Sequence, residues 1–207
     1  MHKTGVMRFR SSLTSSFLAL ALAGGTLSGC AGGGSSSATI YDLTAPRQVE
    51  ASGSTRRQLL VPSPIAVRAY ASDRIVVRTG DATLAYFPDA QWSDDLPALL
   101  QARLVETFEA SGRVRAVGRP GQGLLIDVQV VTEIRAFEIA VTDQGAVADV
   151  VLSVKLMNDA NGRVIAARVF DALVPAANDG ADAGAQALDA ALDQVMSDIV
   201  RWALQTI

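Results

Sequence analysis

Between Leu124 and Ile134 the apolar side chains Leu124, Ile126, Val128, Val130 and Ile134 alternate with Asp127, Gln129 and Glu133. A period of two builds a strand with one covered and one open face, so this stretch demands an apolar layer on one side of a sheet. After Ala136 the apolar set changes parity to Phe137, Ile139 and Val141. A shift of one residue flips the faces, which predicts a bulge near Ala136. Asp143-Gln144-Gly145 turns the chain into a second strand, with Val150, Leu152, Val154 and Leu156 on one side. Asn161-Gly162 is a hairpin signal. The third strand, Val164 to Val174, is apolar on both parities, which predicts a central or well-covered position.

Two helical stripes supply the covering layer. Leu96, Leu99, Leu100, Leu104 and Phe108 fall on one face of a helix over 93–110. Ser93 or Asp94 is positioned to cap it, Pro97 is tolerated in its first turn, and Ser111-Gly112 ends it. Leu188, Leu192, Val195, Ile199 and Trp202 stripe a last helix over about 185–204. Upstream, residues 58–70 begin as a strand that Pro62 and Pro64 interrupt, marking an edge or bulged strand. Asp73–Arg78 and Thr83–Phe87 read as a hairpin. The expected fold is a single α/β or α+β domain, a mixed, mostly antiparallel sheet packed by two main helices.

The N-terminus sets the compartment. Lys3, Arg8 and Arg10 precede Phe17–Leu27, an apolar run of 11 residues. That is too short for a membrane span, which needs about 20, and has the form of a secretory signal over 1–29. Leu27-Ser28-Gly29-Cys30 places an aliphatic and two small residues before the sole cysteine. This is similar to the lipobox of bacterial lipoproteins, in which the thiol accepts a diacylglycerol. Residues 31–39, Ala-Gly-Gly-Gly-Ser-Ser-Ser-Ala-Thr, have linker composition, and residues 30–57 are expected to form a lipidated tether before a domain over 58–207. Ala31 after the cysteine, in place of Asp, resembles outer-membrane cargo.

Removal of residues 1–29 leaves fifteen cations against twenty-one acids, a net charge of −6, and no histidine. That balance excludes the basic excess of nucleic-acid binders. It also excludes Ser-His-Asp and Cys-His catalysis and Cys/His metal sites, and no cofactor is expected. Glu133 and Glu138 could be acid–base partners, but five residues apart they face opposite sides of a regular strand, and solvated positions are the plainer reading. Asp189 and Asp193 share a helix face without further metal ligands to join them. Gly118-Arg119-Pro120-Gly121-Gln122-Gly123 is followed by a strand, not the helix a phosphate loop requires, and reads as a connector. Arg113, Arg115 and Arg119 could meet a lipid head group or an acidic partner, or blunt a strand edge. Tyr86, Phe87 and Trp92 could anchor a partner or pack in the core.

Several segments, in order, are similar to the auxiliary lipoprotein component of ABC-type transport systems, which includes the paraquat-inducible lipoproteins that accompany mammalian-cell-entry (MCE) domain proteins. They are Tyr41-Asp42-Leu43, Asp73–Arg78, Ala85-Tyr86-Phe87, Trp92–Leu96, Phe137-Glu138, Val164–Phe170 and an Ala-rich helix containing Trp202. The resemblance implies a non-catalytic part in moving lipids between membranes, with an MCE-domain protein and an ABC permease and ATPase as partners. It leaves open a directly bound lipid and a homo-oligomer. An assembly lipoprotein of another envelope machine and a carboxylate-only hydrolase are the competing readings.

Overall fold

The computed structural model describes residues 38–207; the signal, Cys30 and the first part of the expected tether lie outside the described residues. Its elements are β1 (Thr39–Tyr41), β2 (Thr55–Leu60), β3 (Ile65–Ala66), β4 (Arg74–Gly80), β5 (Thr83–Trp92), α1 (Leu96–Ser111), β6 (Val114–Gly118), β7 (Val128–Thr142), β8 (Gly145–Asn158), β9 (Val164–Pro175) and α2 (Ala181–Thr206). They form one mixed sheet with two helices, as the residue patterns predict.

The sheet is organised by β7. On one flank it pairs in parallel with β2, β3 and β4 in succession along its length. On the other it pairs antiparallel with β8, which pairs with β9. Beyond β2 lies β6, and beyond β4 lie β5 and then β1. Most ladders are parallel but short; most paired residues belong to the antiparallel β4–β5, β7–β8 and β8–β9 ladders. The bulge falls where the parity changes: Ile134 pairs with Leu152 but Ala136 with Val151. Val128, Val130 and Ile134 before it, and Phe137 and Ile139 after it, are buried. Residues 124–127 precede the strand, and Leu125 is exposed.

The apolar layer comes mainly from α2, whose Leu188, Leu192, Val195, Met196, Ile199 and Val200 are almost fully enclosed against the sheet and α1. Each such side chain contributes about 1.5–3 kcal/mol of burial. Gly184 lets α2 approach closely, because an added Cβ would sit 3.1 Å from Ile139 and 3.3 Å from the Phe87 ring. On α1 the cap differs from expectation. Asp95 occupies the N-cap without a side-chain cap bond. Leu96 N–H instead donates to the Ser72 carbonyl at 3.1 Å, while the Ser93 hydroxyl donates to Asp42.

Two expectations are corrected. Residues 39–57 belong to the domain: β1 pairs with the end of β5, Leu43 is 1% exposed, and both Thr44 N–H and Thr44 Oγ1 donate to Asp189 on α2, at 2.6 and 2.9 Å. The linker composition ends before this short apolar motif finds its partner strand some fifty residues later. In turn, β9 is an edge strand rather than a central one. Its Phe170 and Ala172 face the helix layer, whereas Ile165, Val169 and Leu173 are exposed on the opposite face. The double parity reflects one packed face and one open apolar face.

Candidate interaction surfaces

Glu138 was expected to be solvated and is instead 1% exposed. The parity change after the bulge turns it to the sheet face opposite the helices, between Val76 of β4 and Asp149 of β8. The Tyr70 hydroxyl donates to Glu138 Oε2 at 2.6 Å, and Arg78 Nη2 donates to the same oxygen at 3.1 Å. Arg78 Nε donates to Oε1. Burial, then the bond to Glu138, pushes the Tyr70 phenol well above its ordinary value. Burial, with the Glu138 charge behind it, raises the Asp149 carboxyl. Both Glu138 oxygens are already occupied by donors, so this carboxylate pins the turn carrying Tyr70 to the sheet. The bulge does bring Glu133 to the same face, but its register partner is Ser153, four β8 positions from Asp149, and it lies beside Arg135. The two glutamates are thus separated along β8 and engaged by different arginines. The warning in the sequence was a lone acid between two buried residues, Phe137 and Ile139.

The second acid pair also separates in role. Asp189 accepts both Thr44 bonds. Asp193, one turn on, is half-buried, with Oδ1 enclosed and unpartnered. Burial and the neighbouring Asp189 charge raise its pKa to about 6. Neither acid sits on a simply solvated face, and the described residues contain no cluster of three metal-ligating side chains.

The aromatic candidates part company. Trp92 is 1% exposed and meets Phe137 edge-on at 5.9 Å, so it belongs to the core and is not an exposed anchor. Its backbone N–H donates to the Asp73 carbonyl at 2.7 Å. Phe87 is half-buried against Gly184. Tyr86 is half-buried on the open face, with the Arg74 guanidinium 4.0 Å above its ring. Three of the segments that carry the family resemblance meet at one corner. Tyr41 pairs with Trp92, Asp42 accepts from Ser93 and Arg103, and Trp92 packs on Phe137. Although partial burial alone would raise the Asp42 carboxyl, the bonds from Ser93 and Arg103 hold it below its usual range.

Arg113, Arg115 and Arg119 lie together at the β6 edge. Gly112 ends α1 with φ 60°, a left-handed conformation suited to glycine, and releases the chain into β6. Thr55 N–H donates to the Arg113 carbonyl and Val61 N–H to that of Gly118, both at 2.9 Å. The connector after Gly118 folds back so that an added Cβ there would meet the Gln122 and Leu124 side chains. All three arginines are exposed and have no ion pair among the described residues. Arg113 and Arg115, with Arg56, border an open groove of about 510 Å³ that includes Thr55 and Val114, while Arg119 lies beyond its lining. A second depression continues from Val114 and Arg115 to Val117, Gln122 and Leu124.

Among the described residues no helix is long and apolar enough to cross a membrane. An uncharacterized protein of Bradyrhizobium diazoefficiens is 31% identical over 85% of this chain; the chain spans 48% of that relative's length. A crystal structure from Xanthomonas campestris, 32% identical, covers 82% of this chain and 96% of its own, with a TM-score of 0.77. A hypothetical protein of Chlamydia trachomatis shares the fold at 9% identity, covering 73% of this chain and 98% of its own, with a TM-score of 0.51. The family model for the ABC-type transport auxiliary lipoprotein component matches residues 41–200, from the Tyr41 that pairs with Trp92 to the last turns of α2. By that match the chain belongs to the ABC-type transport auxiliary lipoprotein family.

Proposed function

We propose that this protein is a lipid-anchored, non-catalytic component of an ABC/MCE-type system that moves lipids between the two membranes of the envelope. In this reading residues 1–29 are removed, Cys30 becomes the acylated N-terminus, and the domain stands on the periplasmic face of the outer membrane. The observation that carries it is the pairing of Leu27-Ser28-Gly29-Cys30 with the family match over 41–200. Two or more acyl chains anchor stably where one does not. An MCE-domain protein and an ABC permease and ATPase are the partners, and the energy comes from that ATPase. Arg113, Arg115, Arg119 and Tyr86 are the exposed or half-exposed groups offered to a partner or to lipid head groups. Self-association and direct lipid binding fit the same role.

Mass spectrometry of protein from its native host should show cleavage before Cys30 and an added acyl mass. Cys30→Ala should fold yet lose the envelope-barrier function, because tethering supplies the local concentration that binding needs. Affinity capture of the wild type should recover an MCE-domain protein. Full complementation by the unanchored form, with no such partner recovered, would favour an assembly lipoprotein instead.

A further inference from the structure

Among the described residues the sheet ends at β6, whose outer side has no neighbouring strand. The charge at this edge is one-sided. Arg78, Arg103, Arg135 and Arg201 are each matched with a carboxylate; other cations such as Arg57 and Arg74 are not among the described residues, and what sets this edge apart is that Arg56, Arg113 and Arg115 gather on one groove. At the β2–β6 edge Arg56, Arg113, Arg115 and Arg119 have no such match among the described residues, although the whole chain is net acidic. The two depressions share Val114 and Arg115 and so run along β6 as one open trough. Its far end carries apolar Val117 and Leu124, and Glu109 is the carboxylate on its α1 wall.

We propose that β6 is a docking edge for an extended, acidic polypeptide segment of a partner protein, which adds to the sheet as a further strand. Strand addition takes its affinity from main-chain hydrogen bonds and its specificity from alternate side-chain contacts. Here the acidic side chains lie on the face of Arg113 and Arg115, and the intervening apolar ones lie on the other face, beside Val114 and Ala116. An excess of unpaired cations also speeds encounter with an acidic partner and rejects a basic one. The opposite edge lacks this selectivity: on β9, Arg168 and Asp171 put both signs on one strand. The inference does not depend on lipidation of Cys30 or on the transport reading.

The test uses a labelled peptide of about ten residues alternating Glu and Val, long enough to span a five- or six-residue strand. Its Lys/Val counterpart and a version N-methylated at alternate backbone amides serve as controls. Fluorescence anisotropy should show the acidic peptide binding and both controls failing. Arg113→Glu with Arg115→Glu should weaken binding at least about tenfold, whereas Arg168→Glu on β9 should not. Hydrogen exchange should slow at the β6 amides when peptide binds. Equal binding of the N-methylated peptide overturns strand addition without requiring any change to the protein. No binding up to about 1 mM peptide, the weak limit of specific recognition, overturns the docking edge and leaves the arginines as shields of an exposed strand. Cosedimentation with phosphatidylglycerol vesicles, without peptide binding, would reassign the edge to the membrane surface.

Discussion

The phenol of Tyr70 and the carboxylate of Glu138 meet at 2.6 Å in a site where the tyrosine is 3% and the glutamate 1% exposed. This bond joins a turn between β3 and β4 to the central strand β7, and Arg78 completes it from β4.

Tyr70→Phe removes that bond while keeping the ring. It should destabilise the domain by about 1.5–3 kcal/mol, the range for a hydrogen bond to a charged group. Urea denaturation of Tyr70→Phe, Glu138→Gln and the double variant measures the coupling. A coupling energy near zero would show that the two groups contribute independently.

Leu192 is fully enclosed beneath the sheet. Leu192→Ala should cost about 2–5 kcal/mol, through lost transfer energy and the cavity left behind. Chemical denaturation checks it; an unchanged midpoint would mean α2 is not docked through this face.

The segment before β2 predicts a sharp truncation boundary. A chain beginning at residue 38 should fold with full stability. One beginning at residue 58 loses β1, Leu43 and the Thr44–Asp189 bonds, and should melt lower. Leu43→Ala isolates the apolar part, with an expected cost of about 2–5 kcal/mol for a side chain 1% exposed.

Asp193 sets a pH dependence of definite sign. Its folded pKa, about 6, lies above its ordinary value of 3.8. The folded state therefore binds the proton more tightly, and this group's contribution to stability declines as pH rises from about 4 to 6 and stays low above that. Asp193→Asn should raise the melting temperature at pH 7–8 relative to wild type, with the gap closing below pH 4. Thermal melts across that range decide it; a gap independent of pH would assign the gain to something other than ionisation.

What could be read from the chain was local. The stripe from Leu188 to Ile199 and the parity change at Ala136 are periodic signals, and the residues concerned are buried as those signals require. Neighbour number was not local. The run from Val164 to Val174 looked covered because its composition is apolar, yet an edge is defined by the absence of a distant partner. Trp92 showed the reverse: its burial depends on Phe137, Tyr41 and Asp73, all remote in sequence. Glu138 became a clamp only because a bulge, itself foreseen, turned it toward Tyr70. The basic edge was visible as three arginines, but Arg56 joins them only through the parallel β2–β6 pairing.

The position of β7 has a consequence in time. Its neighbours on one flank, β2, β3 and β4, are made before it, whereas those on the other flank, β8 and β9, are made after it. A chain emerging from its N-terminus first therefore has its early strands waiting without the strand that unites them. The largest apolar covering arrives last, on α2. Non-local pairing of this kind is slow, because long loops must close before contacts reward them. The order of synthesis thus keeps the polypeptide open through most of its length and reserves closure of the fold for the final residues.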